Sequence, residues 1–145
     1  MRKLIRSGIL LMALFVAACA SSAPMHPLQS PAPQLSADKG RIFFYRDDSA
    51  FGRSLQPAIN LNGQKTGYTI PGTAFFRDVT PGHYLVECTT EVTRSAAFDL
   101  TAGQTKYIRT RPTWGAMEGH IQVEPIDPKE AELAIQKLVL ITGSD

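Results

Sequence analysis

The side chains able to do chemistry are few and scattered: His26, His83 and His120, the thiols of Cys19 and Cys88, and a thin spread of carboxylates. No histidines stand at His-x-x-x-His spacing and no cysteines form Cys-x-x-Cys, so no metal site is expected. His26, beside Met25, reads as incidental. There is no Gly-x-Ser-x-Gly elbow, no Walker loop and no dinucleotide fingerprint; Gly63-Gln64-Lys65-Thr66-Gly67 is only superficially like one. Glu87 and Glu91 share a face of an extended segment but do not make the close pair that acid–base catalysis requires. His83, next to a glycine turn, is expected to be exposed or to cap its own loop rather than serve as a general base. The sequence therefore points to no catalytic residues and to no cofactor.

Cys19 carries a different kind of chemistry. Arg2, Lys3 and Arg6 form a basic start, and the apolar run from Ile9 to Val16 is far shorter than the roughly 20 residues that span a bilayer. The pattern is that of a signal peptide. One reading is ordinary secretion, with cleavage near Ala18 or Ala20. The stretch Val16-Ala17-Ala18-Cys19 resembles, at all four positions, the lipobox of bacterial lipoproteins. That resemblance implies loss of residues 1–18, a diacylglycerol on the Cys19 thiol and a third acyl chain on the freed amine. A single chain of ~14 carbons binds a membrane only marginally, whereas two or more hold it stably. Ala20 is similar to the residue type that permits export to the outer membrane. The expected address is the cell envelope, lipid-anchored at the outer membrane and facing the periplasm.

Residues 19–38 form a tether rich in Pro, Ser and Ala, with Pro24, Pro27, Pro31 and Pro33. Such a composition cannot bury a core; it is expected to be disordered or partly extended and to act as a spacer of up to about 60 Å. Removing residues 1–18 takes three basic residues and no acidic one, so fifteen basic against thirteen acidic becomes twelve against thirteen. The basic character belongs to the leader, and no electrostatic case for nucleic acid remains. Residues 39–145 are the right size for one domain with one core. With Cys19 committed to lipid, Cys88 has no partner within the chain. It alternates with Tyr84 and Val86 on an apolar face, which predicts a buried, inert thiol.

The domain reads as mainly β. Gly40 to Arg46 is a first strand with Ile42 and Phe44 on one face and Phe43 and Tyr45 on the other, a pattern for the middle of a covered sheet. Residues 47–55 form a polar loop; Asp47, Asp48 and Ser49 read as a solvated turn, with no calcium-loop spacing after them. Asn62-Gly63 predicts a type I′ hairpin between strands at 57–61 and 64–68. Strands at 73–79 and 84–90 flank Thr80-Pro81-Gly82-His83, which reads as a tight reversal. Further strands are expected at 92–100, 104–111 and 118–126. Asp127-Pro128-Lys129-Glu130 then opens a helix with a cap, a first-turn proline and a capping box. Ala131, Ala134, Ile135, Leu138 and Val139 follow at helical spacing, with Gly143 as the C-terminal stop.

The opening strand at 41–46, Asn62-Gly63, Phe75-Phe76 and the Val79-Thr80-Pro81-Gly82-His83 turn together resemble the bacterial envelope proteins grouped as domain of unknown function twenty-eight forty-six. The resemblance covers about residues 39–111 and brings no activity and no catalytic residues. The expected architecture is an antiparallel β-sandwich-like domain of about seven or eight strands with one C-terminal α-helix packed on it. Candidate contact surfaces are two. Tyr107, Arg109 and Arg111 share one strand face, which reads as solvated or edge-protecting, or else as an anion patch. Trp114 lies in a loop, where it either plugs the core or stands out as a recognition anchor; the plug is the expectation. His83 completes the candidate surface. The leading function is a non-enzymatic binding or structural module with an envelope protein or cell-wall partner. Its rivals are a hydrolase of envelope polymer assembled from His83, His120 and acidic side chains, and a small inhibitor of hydrolases.

Overall fold

The computed structural model describes residues 32–115 and 119–142. The leader, Cys19, the first part of the tether, Met117 and Gly143 lie outside the described residues. The strands are β1 (Gly40–Arg46), β2 (Ala58–Leu61), β3 (Gln64–Tyr68), β4 (Thr73–Val79) and β5 (Gly82–Thr89). There follow β6 (Thr93–Leu100), β7 (Thr105–Thr113), β8 (His120–Ile126), the helix α1 (Pro128–Ile135) and the two-residue β9 (Val139–Leu140). They form a five-stranded sheet in the order β8-β7-β1-β4-β9 and a four-stranded sheet in the order β3-β2-β5-β6. Among the described residues no helix is long and apolar enough to cross a membrane.

The sandwich expected from the sequence is present, with one difference in strand direction. β1 runs parallel to β7, and β4 parallel to β9, while the other ladders are antiparallel. The parallel pairs arise because several turns carry the chain between sheets instead of back along the same sheet. Pro81-Gly82 joins β4 in one sheet to β5 in the other, so it is a corner and not a hairpin. Ala102-Gly103 does the same between β6 and β7. Asn62-Gly63 behaves as its residue types dictate: both have positive φ, 50° and 79°, and they close the β2–β3 hairpin.

Alternation along β1 explains its place at the centre of its sheet. Ile42 and Phe44 point into the space between the sheets, where they meet Ile59, Phe75, Val86, Cys88, Leu100, Ile108 and Ile121. Phe44 stacks on Phe75 with ring centroids 5.0 Å apart. The opposite face carries Phe43 and Tyr45, covered with Ala74 and Tyr107 by Ala131 and Ile135 of α1. This second, smaller core is what the helix is for. Asp127 caps it by accepting from the Lys129 N–H at 2.9 Å, and Pro128 opens it. Glu130 does not close the expected capping box; its carboxylate accepts from Arg109 at 2.9 Å.

The helix stops earlier than its apolar spacing suggested. It ends at Ile135, and Val139–Leu140 becomes a strand on the edge of β4. The open ladder edge explains the change: Val139 N–H donates to Gly72 O at 3.0 Å and Ile141 N–H to Ala74 O at 2.8 Å. A further helical turn would leave that edge unpaired.

Candidate functional site

The two ends of the sandwich differ in character. The entry end holds Gly40, whose Cα hydrogen faces the Leu100 side chain, together with the Gly82–Leu100 pair that opens β5. At the far end the loop of residues 47–57, leaving β1, meets the loop between β7 and β8. There Phe51, Gly52, Ser54, Leu55, Pro112, Trp114 and Gly119 line a groove of about 300 Å³.

The groove is built from the inside. Arg46, the last residue of β1, lies on the same face as Ile42 and Phe44 and is 1% exposed. Its guanidinium donates to Leu55 O at 2.5 Å, Gly52 O at 2.6 Å and Thr69 O at 2.9 Å. Three carbonyls from two loops thus converge on one planar fork, a task suited to arginine's geometry and not to lysine's single ammonium. Burial pulls the Arg46 pKa down from its usual value, yet arginine starts so high that it stays charged. Gly52 has φ +65°, and a Cβ there would lie 2.5 Å from Pro112 Cβ. Only glycine lets this loop press against the end of β7.

On that base sit two aromatic rings. Trp114 is 83% exposed and lies against Phe51, with centroids 4.6 Å apart and planes tilted by 44°. The expected plug is therefore not formed: the indole stands in solvent and forms the rim of the groove. A large exposed aromatic beside an apolar cleft is the arrangement found at energetic centres of interfaces. Near it, Arg53 pairs with Asp48 at 2.9 Å, both well exposed, so the loop presents little net charge.

The other candidate residues are placed elsewhere and do different work. Tyr107 is 8% exposed beneath α1, stacks on Phe43 at 5.5 Å and donates its hydroxyl to Glu132 at 3.1 Å. Burial first, then that bond to a carboxylate, pushes its pKa up to about 12. Arg109 bridges Glu124 and Glu130 at 3.0 and 2.9 Å, and Arg111 reaches Glu124 at 2.8 Å. The face read as solvated or edge-protecting is thus an internally neutralised network, and β8 covers the edge of β7. The Arg111 hydrogen bond, chiefly, and that of Arg109 hold Glu124 below the ordinary carboxylate range. A depressed pKa gives stability that is present above the unfolded value and lost as pH falls through the folded one. Glu124→Gln should cost about 1 kcal/mol at neutral pH, with the gap to wild type closing in acid; urea titrations at pH 7 and pH 3 measure it.

His83 is exposed and pairs with Asp99 at 2.9 Å at the entry end. His120 lies at the other end, 4.0 Å from Glu91. Since β5 runs from His83 up to the loop carrying Glu91, about 20–25 Å separates the two histidines. They do not converge, and the hydrolase assembled from both has no common cleft. Among the described residues no group of three potential metal ligands comes together.

Cys88 is fully buried, and burial pushes its pKa up to about 12, with Arg46 opposing in part. At neutral pH the thiolate is suppressed as well as enclosed. Alkylation of native protein should be at least ~1,000-fold slower than of denatured protein, measured by mass spectrometry of quenched samples. Labelling at a rate near that of the denatured chain would show that the core opens freely.

The residues missed by sequence reasoning are Arg46 and Phe51. A signal for the first existed, because alternation puts Arg46 inward with Ile42 and Phe44. For Phe51 there was none, since the loop fold that brings it to Trp114 depends on that buried arginine.

The fold and groove define a two-sheet β domain with an apolar, aromatic-rimmed cleft at one end. Residues 36–121 match the family described as "Protein of unknown function (DUF2846)", and the chain belongs to that family. An "Uncharacterized protein" of Haemophilus influenzae (strain ATCC 51907 / DSM 11121 / KW20 / Rd) is 27% identical over 139 residues, covering 92% of this chain and 82% of its own length. No solved structure matches the chain.

Proposed function

We propose that the chain is a lipid-anchored, non-enzymatic binding module of the bacterial cell envelope, held through Cys19 at the outer membrane and facing the periplasm. The observation that carries the binding role is the groove rimmed by Trp114 and Phe51. A ring left 83% exposed contributes little to the fold, whereas closure by a partner would bury most of its apolar area. Support for the address comes from the lipobox resemblance at Val16-Ala17-Ala18-Cys19. Lys39 enters the domain at the end opposite the groove, so an extended tether presents the cleft away from the membrane and toward an envelope protein or the cell wall.

The test is photo-crosslinking in living cells from a photoreactive residue at position 114. Position 133 serves as control, because Leu133 is 64% exposed on α1, away from the groove. Adducts of defined mass from 114 and not from 133 are expected. Equal labelling from both sites, or none from 114, would remove the groove as a contact surface.

A further inference from the structure

Beside its two aromatic rings the groove is bordered by polar side chains. Asp48, Arg53, Ser54 and Gln56 of the loop after β1 are all exposed, and the Gln56 amide donates to Arg53 O at 3.0 Å. The Arg53–Asp48 pair, 2.9 Å apart, sets donors and acceptors side by side without net charge. The Arg46 fork holds this loop through Gly52 O and Leu55 O, so the platform is ordered before anything binds. Size narrows the ligand. A groove of about 300 Å³ stands at the lower limit of small-ligand sites. Phe51 and Trp114 together offer at most about 500 Å² of side-chain surface. That falls well short of the roughly 800 Å² that each side of an ordinary protein interface buries.

We infer that the groove binds a neutral saccharide, the N-acetylated hexosamine strand of the cell wall. The inference rests on the groove reading above and names its ligand. A pyranose ring with equatorial substituents turns C–H groups out from its faces and hydroxyls out from its perimeter. One such face lies on the open side of the Trp114 indole, 83% exposed, whose electron-rich surface attracts C–H groups. The hydroxyls then meet Asp48, Arg53, Ser54 and Gln56, which supply both acceptors and donors. The acetamido methyl is matched by the apolar lining that Leu55 and Pro112 contribute. Charge agrees with this choice. A phosphate or an acidic peptide would find Arg53 already neutralised by Asp48. An acyl chain would strip water from the polar loop side chains and give them no partner in return.

Trp114 is the sole tryptophan of the chain, so its emission reports on the groove alone. The purified full chain is titrated with the β-1,4-linked tetramer of N-acetylglucosamine and with cellotetraose, the same backbone without acetamido groups. The first should change the emission saturably in the millimolar range, and the second should bind about tenfold more weakly, having lost a buried methyl and an amide hydrogen bond. Sedimentation with intact cell-wall sacculi gives a second readout. Wild type and Trp114→Tyr, which keeps a ring, should pellet, whereas Trp114→Ala should lose about tenfold in affinity. Equal melting temperatures are expected for all three, because so exposed an indole contributes little to the fold. Emission unchanged by the acetylated tetramer, equal binding of cellotetraose, or undiminished pelleting of Trp114→Ala overturns the inference. In that event protein adducts formed from position 114 in cells would leave the groove as a protein site, and their absence would remove both readings.

Discussion

Arg46→Met is expected to lower the unfolding free energy by about 3–5 kcal/mol, the largest loss among single substitutions outside the hydrophobic core. Two effects compete. Methionine fills much of the same apolar space and relieves the core of a charge with no carboxylate beside it, which is favourable. Against that, the carbonyls of Leu55 and Thr69 lose the Arg46 donor, each orphaned acceptor costing about 1–3 kcal/mol, and Gly52 O is left with only the Leu55 N–H. Two orphaned carbonyls and a weakened third outweigh one relieved charge. Arg46→Lys should recover only part of the deficit, because an ammonium on a flexible stem cannot reach both loops with the geometry of the fork. Urea unfolding followed by circular dichroism measures the loss. Trp114 emission measured alongside should shift before the global transition, since the groove loop is what the fork holds. A variant with wild-type stability and an unshifted tryptophan would refute the clamp.

Phe44→Ala should cost a similar amount, about 3–5 kcal/mol, for a different reason. The ring is fully buried between the sheets and stacks on Phe75, so truncation removes apolar area and leaves a void that two hydrogen-bonded sheets cannot collapse around. The total stability of a domain this size is about 5–15 kcal/mol, so either variant brings the chain near its threshold. Their signatures separate them. Phe44→Ala should lose both sheets in one transition with the groove tryptophan changing in step, whereas Arg46→Met should loosen the groove first. Calorimetry and tryptophan emission on the two variants, taken together, decide it.

Much of the architecture was legible because β-strands write their environment in a period of two. The double-faced apolar pattern of residues 42–45 required a covered central strand, and β1 has one core on each side. Asn62-Gly63 stated its turn in residue types alone. What the pattern could not supply was which sheet each strand joins. Pro81-Gly82 bends the chain equally well within a sheet or around its corner, and the choice depends on long-range packing. The same limit shortened the helix: Leu138 and Val139 keep helical spacing, but the free edge of β4 offers Val139 and Leu140 a ladder. At the candidate site, Trp114 was visible as a residue type while its partner Phe51, sixty-three positions earlier, was not. The arginines were read as a surface because the carboxylates that neutralise them, Glu124 and Glu130, come from β8 and α1.

In the proposed function, the direction in which the groove faces depends on a lipid anchor at Cys19. Its most direct test is the intact mass of the protein extracted from envelope membranes of the native host, alongside a Cys19→Ser variant. The account predicts a chain that begins at Cys19 and carries the mass of a diacylglycerol and an amide-linked acyl group, with the variant unmodified and released from the membrane. A wild-type chain without fatty acids, recovered in the soluble periplasmic fraction, would contradict it.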